Sequence, residues 1–263
     1  MSYTCSHLAV CFVNAKGYRS LKAMDSCIKP LARAAPHGYA SPMTPHDHAP
    51  TLPLWQVPCP CTVILANGAF PAHPAPLAAL RSAERIVCCD GAASNLVAGG
   101  LTPAAIVGDL DSLSAGLRER FSDRLHLDAG QDDNDLAKAF RYCVERKWRR
   151  LVLLGATGLR EDHTLGNLGL LADFAAQAEV ALLTDTGVFA AVHKPTAFAT
   201  HPGQQVSLFT FDDRTVLNAA GLRYPVENLR PSRWWQATLN EACGEQFELN
   251  CEGGPVLVFL AYA

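Results

Sequence analysis

Acidic side chains gather in three short segments of this sequence. They are Ile106-Val107-Gly108-Asp109-Leu110-Asp111-Ser112, Gln131-Asp132-Asp133-Asn134-Asp135-Leu136-Ala137-Lys138, and Gly155-Ala156-Thr157-Gly158-Leu159-Arg160-Glu161-Asp162-His163. Carboxylates brought close together repel, and their pKa values rise unless a cation neutralises them. Hard oxygen donors with no Cys or His ligand set beside them suit Mg²⁺ rather than zinc. Such an ion keeps several waters and bridges to substrate phosphates. Lys138 and Arg160 stand beside the acids as cations. Ordinary solvated loop acids would account for any single Asp; three clusters in succession favour a shared site.

Each cluster follows a short apolar run that reads as a buried strand, over 104–107, 125–127 and 151–154. In a parallel α/β sheet the residues just past the strand carboxyl ends converge on one crevice. Further strands are expected over 62–66, 85–89, 180–183 and 188–192, with helices over 75–82, 93–98, 133–147 and 162–176. The 133–147 helix places Leu136, Ala139, Phe140, Cys143 and Val144 on one face. Asp135 and Lys138 are helical neighbours, which suits either a structural ion pair or a phosphate contact. Asp90 ends the second strand and either faces the same crevice or caps the next helix. The 162–176 helix is entered through Gly155 and Gly158, and its amino end beside Arg160 suits an anion. His163 reads as a base, a phosphate donor or a packing residue. The loop after 62–66 carries neither Gly-x-Gly-x-x-Gly nor the P-loop pattern, so no standard dinucleotide or P-loop site is supported there.

Beyond Pro195 strand-like runs at 206–211, 214–217, 247–250 and 256–261 alternate with turns and no long helix, which predicts a small all-β part. Tyr224, Trp234 and Trp235 lie near Arg223 and Arg233. They suit either a β core or a surface on which a flat or cationic ring stacks. Residues 1–60 differ from the rest: eight prolines fall between Pro30 and Pro60, the pattern of a linker or disordered arm. His46 and His48 within it read as adventitious rather than as metal ligands. The expected division is thus a Pro/His-rich extension at 1–60, an α/β part at 61–194 and a β part at 195–263.

With 263 residues, 49% hydrophobic and 18% charged, the chain has the composition of a packed globular protein. A formal net charge of -3 argues against holding nucleic acid by bulk electrostatics. No apolar stretch approaches the roughly 20 residues that span a bilayer, and no secretory pattern opens the sequence. Ten Cys without a Cys-x-x-Cys module read as free thiols, and the expected compartment is the cytoplasm.

Taken jointly, Asp90-Gly91-Ala92, Gly108-Asp109-Leu110-Asp111-Ser112, Gln131-Asp132-x-x-Asp135-x-x-Lys138 and Gly155-x-x-Gly158-x-Arg160-x-Asp162-His163-x-x-x-Asn167 resemble the thiamine pyrophosphokinase (thiamine diphosphokinase) family. The resemblance runs from about residue 62 onward and includes Gly221-Leu222-Arg223-Tyr224 and Ala237-Thr238-Leu239-Asn240. It implies a mostly parallel three-layer α/β catalytic domain, a β-sandwich-like thiamine domain and a homodimer with the active site at the subunit interface. It also implies Mg-ATP as donor, with a pyrophosphoryl group passing to the thiamine hydroxyl and AMP released. Carried over, Asp109, Asp111 and Asp135 hold or orient Mg²⁺. Gln131, Lys138, Arg160 and Asp162 position triphosphate and hydroxyl, with Asp90, Ser112, Asp132, His163 and Asn167 supporting. Tyr224 falls where a thiamine-stacking tryptophan is usual, and Thr238 and Asn240 fall in the thiamine segment. The chain departs from the family pattern at Leu239, Leu159 and Gly130, where Ser, Gly and Asp are common. Asp162 and Asp111 are both suited to accept the hydroxyl proton. Rival readings are another Mg-dependent phosphotransferase or nucleotide hydrolase, and a non-catalytic thiamine- or nucleotide-binding module.

Overall fold

The computed structural model describes residues 61–130 and 132–262. The 1–60 extension and Gln131 lie outside them. In chain order the elements are β1 (Thr62–Leu65), α1 (Pro74–Ser82), β2 (Arg85–Cys89), α2 (Ala92–Ala98), β3 (Ala105–Gly108), α3 (Ala115–Arg120), β4 (Leu125–Leu127), α4 (Asp135–Glu145), β5 (Arg150–Leu154), α5 (Glu161–Ala175) and β6 (Glu179–Leu183). Eight strands follow: β7 (Gly187–Val192), β8 (Thr196–Ala199), β9 (Gln205–Thr210), β10 (Val216–Ala220), β11 (Val226–Leu229), β12 (Ala237–Glu241), β13 (Gln246–Glu252) and β14 (Val256–Ala261).

Strands β1 to β6 are parallel, in the order β6-β5-β1-β2-β3-β4. Apolar residues occupy both faces because both are covered, the pattern of a buried parallel sheet. Strand alternation divides them. Ile64, Val87, Val107, Leu151 and Leu153 face one way and pack with Leu136, Phe140, Leu171 and Phe174 of α4 and α5. Val63, Leu65, Cys88, Ile106 and Leu154 face the other way and pack with Leu80 of α1 and Leu96 of α2. The rings of Phe140 and Phe174 stack at 3.9 Å, joining α4 to α5 over the sheet. The expected three-layer α/β arrangement followed by a β sandwich is what the chain adopts.

Between β1 and β5 the strand order reverses direction, since β2 to β4 extend to one side of β1 and β5 to the other. Such a switch point opens a crevice at the strand carboxyl ends. The β part is not an appended separate sheet. Strand β7 pairs antiparallel with both β6 and β14, and β9 and β12 continue outward, so ten strands form one sheet. A second sheet, β11-β10-β13-β8, covers the antiparallel half. Between them lies a core with Val206, Leu208, Val258 and Leu260 on one side and Phe198, Leu217, Phe247 and Leu249 on the other.

The sequence reading missed α3 and the short strands β8, β11 and β12. It also began β10 at residue 214. Arg214 instead belongs to a turn, where the Asp212 carboxylate accepts from its backbone N–H at 2.9 Å and pairs with its guanidinium. Helix α4 starts at Asp135 rather than at 133, because the Asn134 side chain caps it by accepting from the Ala137 N–H at 2.9 Å.

Candidate active site

At the end of β3 the chain must turn sharply while two neighbouring carboxylates approach it. Gly108 makes this possible, with φ +152. A Cβ there would lie 3.1 Å from the Asp90 Cβ and 3.2 Å from the Asp135 Cγ. The next residues alternate: Leu110 is buried in the core, while Asp109 and Asp111 on either side reach outward. Leu110 and Asp90 both hold positive φ, at 65 and 36. Non-glycine residues in that region store about 1–3 kcal/mol each and cluster at functional sites. Arg118, on the unanticipated helix α3, clamps this loop by donating to the carbonyls of Leu110 and Leu113.

These constraints bring ligand oxygens of Asp90, Asp109 and Asp135 within 4.8 Å of one another. Asp90 is 3% exposed. Its Oδ2 accepts from the Ser112 N–H at 3.0 Å, but its Oδ1 is buried without a hydrogen-bond partner. Burial, and then the nearby carboxylates of Asp135, Asp111 and Asp109, push its pKa up against the lowering effect of that N–H. The two readings of Asp90 thus separate: Gly91, not Asp90, is the cap residue of α2, and Asp90 faces the acids. An all-oxygen set of this kind, with one buried oxygen on Asp90 left unpartnered, fits a hard divalent cation. Asp111 stands beside the trio, fully exposed, its pKa lowered chiefly by the Ser112 hydroxyl, which donates to it at 2.9 Å.

Lys138, 4% exposed, extends its ammonium to Asp135 Oδ1 at 3.1 Å, one turn along α4. Both lie on the wall of a cleft of about 360 Å³ at the β1/β5 switch point. The cleft is also lined by Asp109, Asp133, Arg160, His163, Asn167 and the 66–68 and 155–157 turns. The two turns are zipped together. The Gly68 N–H donates to the Gly155 carbonyl at 2.7 Å, an approach that a Cβ on Gly68, 2.3 Å from that oxygen, would forbid.

The structure thus gathers most of the residues singled out from sequence around one cleft, in graded fashion. Asp109, Asp135, Lys138, Arg160, His163 and Asn167 line it. Asp90, Asp111 and Ser112 adjoin it through the trio and Asp162 through Arg160, while Asp132 is exposed. Asp162 is held in a two-point pair with Arg160, at 3.0 and 2.5 Å, and also accepts from the His163 N–H. The Arg160 contact holds its pKa at about 2. Tyr224, Thr238 and Asn240 line no part of the cleft. Asn240 is buried and bonds both backbone groups of Tyr224, at 3.0 and 2.8 Å, fixing that turn. The sequence reading missed Asn67, Cys89, Asn134, Thr157 and Thr164. Asn67-Gly68 at a strand end was the one available signal for the first of them.

Two family models match: thiamin pyrophosphokinase, catalytic domain, over residues 77–183, and thiamin pyrophosphokinase, substrate-binding domain, over residues 187–259. The chain belongs to the thiamin pyrophosphokinase family. Thiamin pyrophosphokinase 1 of Caenorhabditis elegans is 29% identical over 142 residues, 48% of this chain and 57% of that protein. Thiamine pyrophosphokinase of Bacillus subtilis (strain 168) is 27% identical over 141 residues, 51% of this chain and 66% of that protein. The chain therefore spans less than two thirds of the length of these two relatives. The crystal structure of thiamin pyrophosphokinase from Geobacillus thermodenitrificans superposes with a TM-score of 0.64 at 25% identity, covering 77% of this chain and 98% of that one. The boundary between the two family models falls at the β6–β7 turn, where the sheet changes from parallel to antiparallel.

The close packing at Gly108 is directly testable. Gly108→Ala adds a methyl against both Asp90 and Asp135 at a backbone angle open to glycine. The expected result is a stability cost of about 1–3 kcal/mol, read by thermal melting. A variant that melts like wild type would mean the acids need no such closeness.

Proposed function

We propose that this chain is a Mg²⁺-dependent thiamine diphosphokinase, moving the pyrophosphoryl group of ATP to the thiamine hydroxyl and releasing AMP. The observation that carries the proposal is the Asp90, Asp109 and Asp135 trio beside buried Lys138 at a switch-point cleft, in a chain of this family. In the reaction the thiamine oxygen bonds to the β-phosphorus as the bond from that phosphorus to the α–β bridging oxygen breaks. Asp90, Asp109 and Asp135 would hold the ion, with Asp111 orienting its shell. When bound, the ion neutralises charge building on the phosphoryl oxygens. Lys138 and Arg160 place positive charge on the same cleft wall, the main catalytic resource in such transfers. Gln131, Asp132 and Ser112 complete the substrate-side set carried over from the family pattern. Asp111 or Asp162 takes the hydroxyl proton. Both are ionised at neutral pH and so free to accept a proton that leaves late, although their lowered pKa values make them weak bases.

On the thiamine side, Tyr224 and Thr238 are carried by the β part and are not among the residues that line the cleft of their own chain. That supports a homodimer in which the cleft of one copy is completed by Tyr224 of another. Trp234, Phe211 and Leu239, about half exposed, provide an apolar surface of the sort that associating proteins cover. Cys88, Cys89, Cys143, Cys243 and Cys251 carry free thiols, which supports a reducing compartment, the cytoplasm. Among the described residues no helix is long and apolar enough to cross a membrane.

Incubation with thiamine, ATP and Mg²⁺ should give AMP and thiamine diphosphate in equal amounts. AMP release that is indifferent to thiamine would overturn the proposal in favour of a hydrolase. Tyr224→Ala should raise the KM for thiamine about tenfold, roughly 1.4 kcal/mol, while leaving nucleotide binding intact; an unchanged KM would remove Tyr224 from the thiamine site.

A further inference from the structure

Three side-chain hydrogen bonds link α4 to the β5–α5 turn in series. Asn134 Oδ1 accepts from the Ala137 N–H at 2.9 Å, Asn134 Nδ2 donates to Asn167 Oδ1 at 3.0 Å, and Asn167 Nδ2 donates to the Ala156 carbonyl at 2.8 Å. The direction of the series is determined by its ends. A carbonyl only accepts, so the Asn167 amide must turn its NH₂ to Ala156 and its oxygen to Asn134. Asn134 must then donate to Asn167, which leaves its oxygen for the helix cap. Neither amide can flip without placing like groups face to face at both of its contacts.

The two ends of this series bear on different parts of the site. Asn134 immediately precedes Asp135, so its cap sets where the metal-holding carboxylate and Lys138 begin their helix. Ala156 sits in the turn that leads to Arg160. Asn167 is 7% exposed, and its oxygen and its NH₂ group each have a protein partner. Resting on the diphosphokinase reading, we infer that Asn134 and Asn167 form a positioning relay that holds the metal-bearing start of α4 in register with the phosphate-side turn after β5. Asn167 acts through Ala156 and Asn134 rather than by touching substrate. Reacting groups held in one geometry gain rate in proportion to how little they wander, and about 1 Å of misplacement costs on the order of a hundredfold.

Asn134→Ser separates the relay from the fold. Serine caps a helix about as well as asparagine but is too short to reach Asn167. The nucleotide affinity of the full chain is to be measured by calorimetry without thiamine, once with Mg·ATP and once with ATP in a chelator. Metal-free ATP engages the turn but not the acids, so a lost register should show only when the metal joins the two. The expected result is a Kd for Mg·ATP raised about tenfold, a Kd for metal-free ATP changed by less than about twofold, and a melting temperature lowered by only a few degrees, about what one lost buried hydrogen bond costs. Equal weakening of both forms, or of neither, overturns the relay. Asn167→Ala gives an independent check through a double-mutant cycle: if the two amides act in series, the double variant binds Mg·ATP no worse than Asn167→Ala alone. Strict additivity would count against the relay. A wild-type protein that binds Mg·ATP but makes no thiamine diphosphate overturns the functional reading and leaves the relay standing; one that binds no Mg·ATP overturns both.

Discussion

Asp90→Asn is expected to stabilise the metal-free protein while cutting turnover at least about a hundredfold, near 2.8 kcal/mol of barrier. The two effects have one cause. Asp90 is 3% exposed, lies within 4.8 Å of two other carboxylates, and has an oxygen with no partner. Burial and its acidic neighbours raise its pKa, so the folded metal-free chain binds that proton more tightly than the unfolded chain does. Its contribution to stability therefore falls as pH rises from the ordinary carboxylate value through the raised one. An asparagine keeps the oxygen facing the Ser112 N–H. It turns an NH₂ donor toward the acids and removes one of three repelling charges. We expect about 1 kcal/mol of added stability, seen as a rise of about 2–4 °C in melting temperature. Mg²⁺ should raise the melting temperature of the wild type but not of the variant, because the crowding of the three carboxylates is what a cation would relieve. A variant that melts lower without metal and turns over normally would place Asp90 in a purely structural role.

Asp135→Ala combines the loss of a proposed metal ligand with the loss of the partner of a buried cation. Lys138 is 4% exposed and its ammonium rests 3.1 Å from Asp135 Oδ1. Removing one member of a buried pair costs about 3–5 kcal/mol when the other is left uncompensated. The Asp135 side chain is itself 35% exposed, so water reaches the pair and the expected cost is nearer about 2–3 kcal/mol. Turnover should fall by a thousandfold or more, about 4 kcal/mol of barrier. Pairing it with Lys138→Met distinguishes the two effects. The double variant should recover most of the stability, read by urea unfolding, and none of the activity. Recovery of both would mean that the ion pair matters only to folding.

How much of this site could be read in advance follows from which interactions are local. The neighbourly spacing of Asp135 and Lys138 is a property of any helix, and it appears unchanged in the structure. The apolar runs before Asp109 and Gly155 form the expected strands, because a run buried on both sides identifies itself by composition. Asp90 was undecided between cap and crevice, since both roles use the same residue at the same strand end. The cap at Gly91 and the carboxylates gathered beside Asp90 show which role holds. Arg118 escaped notice for a similar reason: an arginine on a short exposed helix looks like any other until its donors meet the Leu110 and Leu113 carbonyls.

The sequence alone determined the fold class, the family and the acidic character of the site. These rest on periodicity and on short motifs, whose meaning depends only on near neighbours along the chain. The tertiary structure decided three further things. It grouped Asp90, Asp109 and Asp135 within 4.8 Å of one another, it joined the β strands to the parallel sheet through β7, and it left Tyr224 out of the lining of its own chain's cleft. Each of these is a distance between segments remote in sequence. Such distances are set by how buried faces pack, which no spacing of residues encodes by itself.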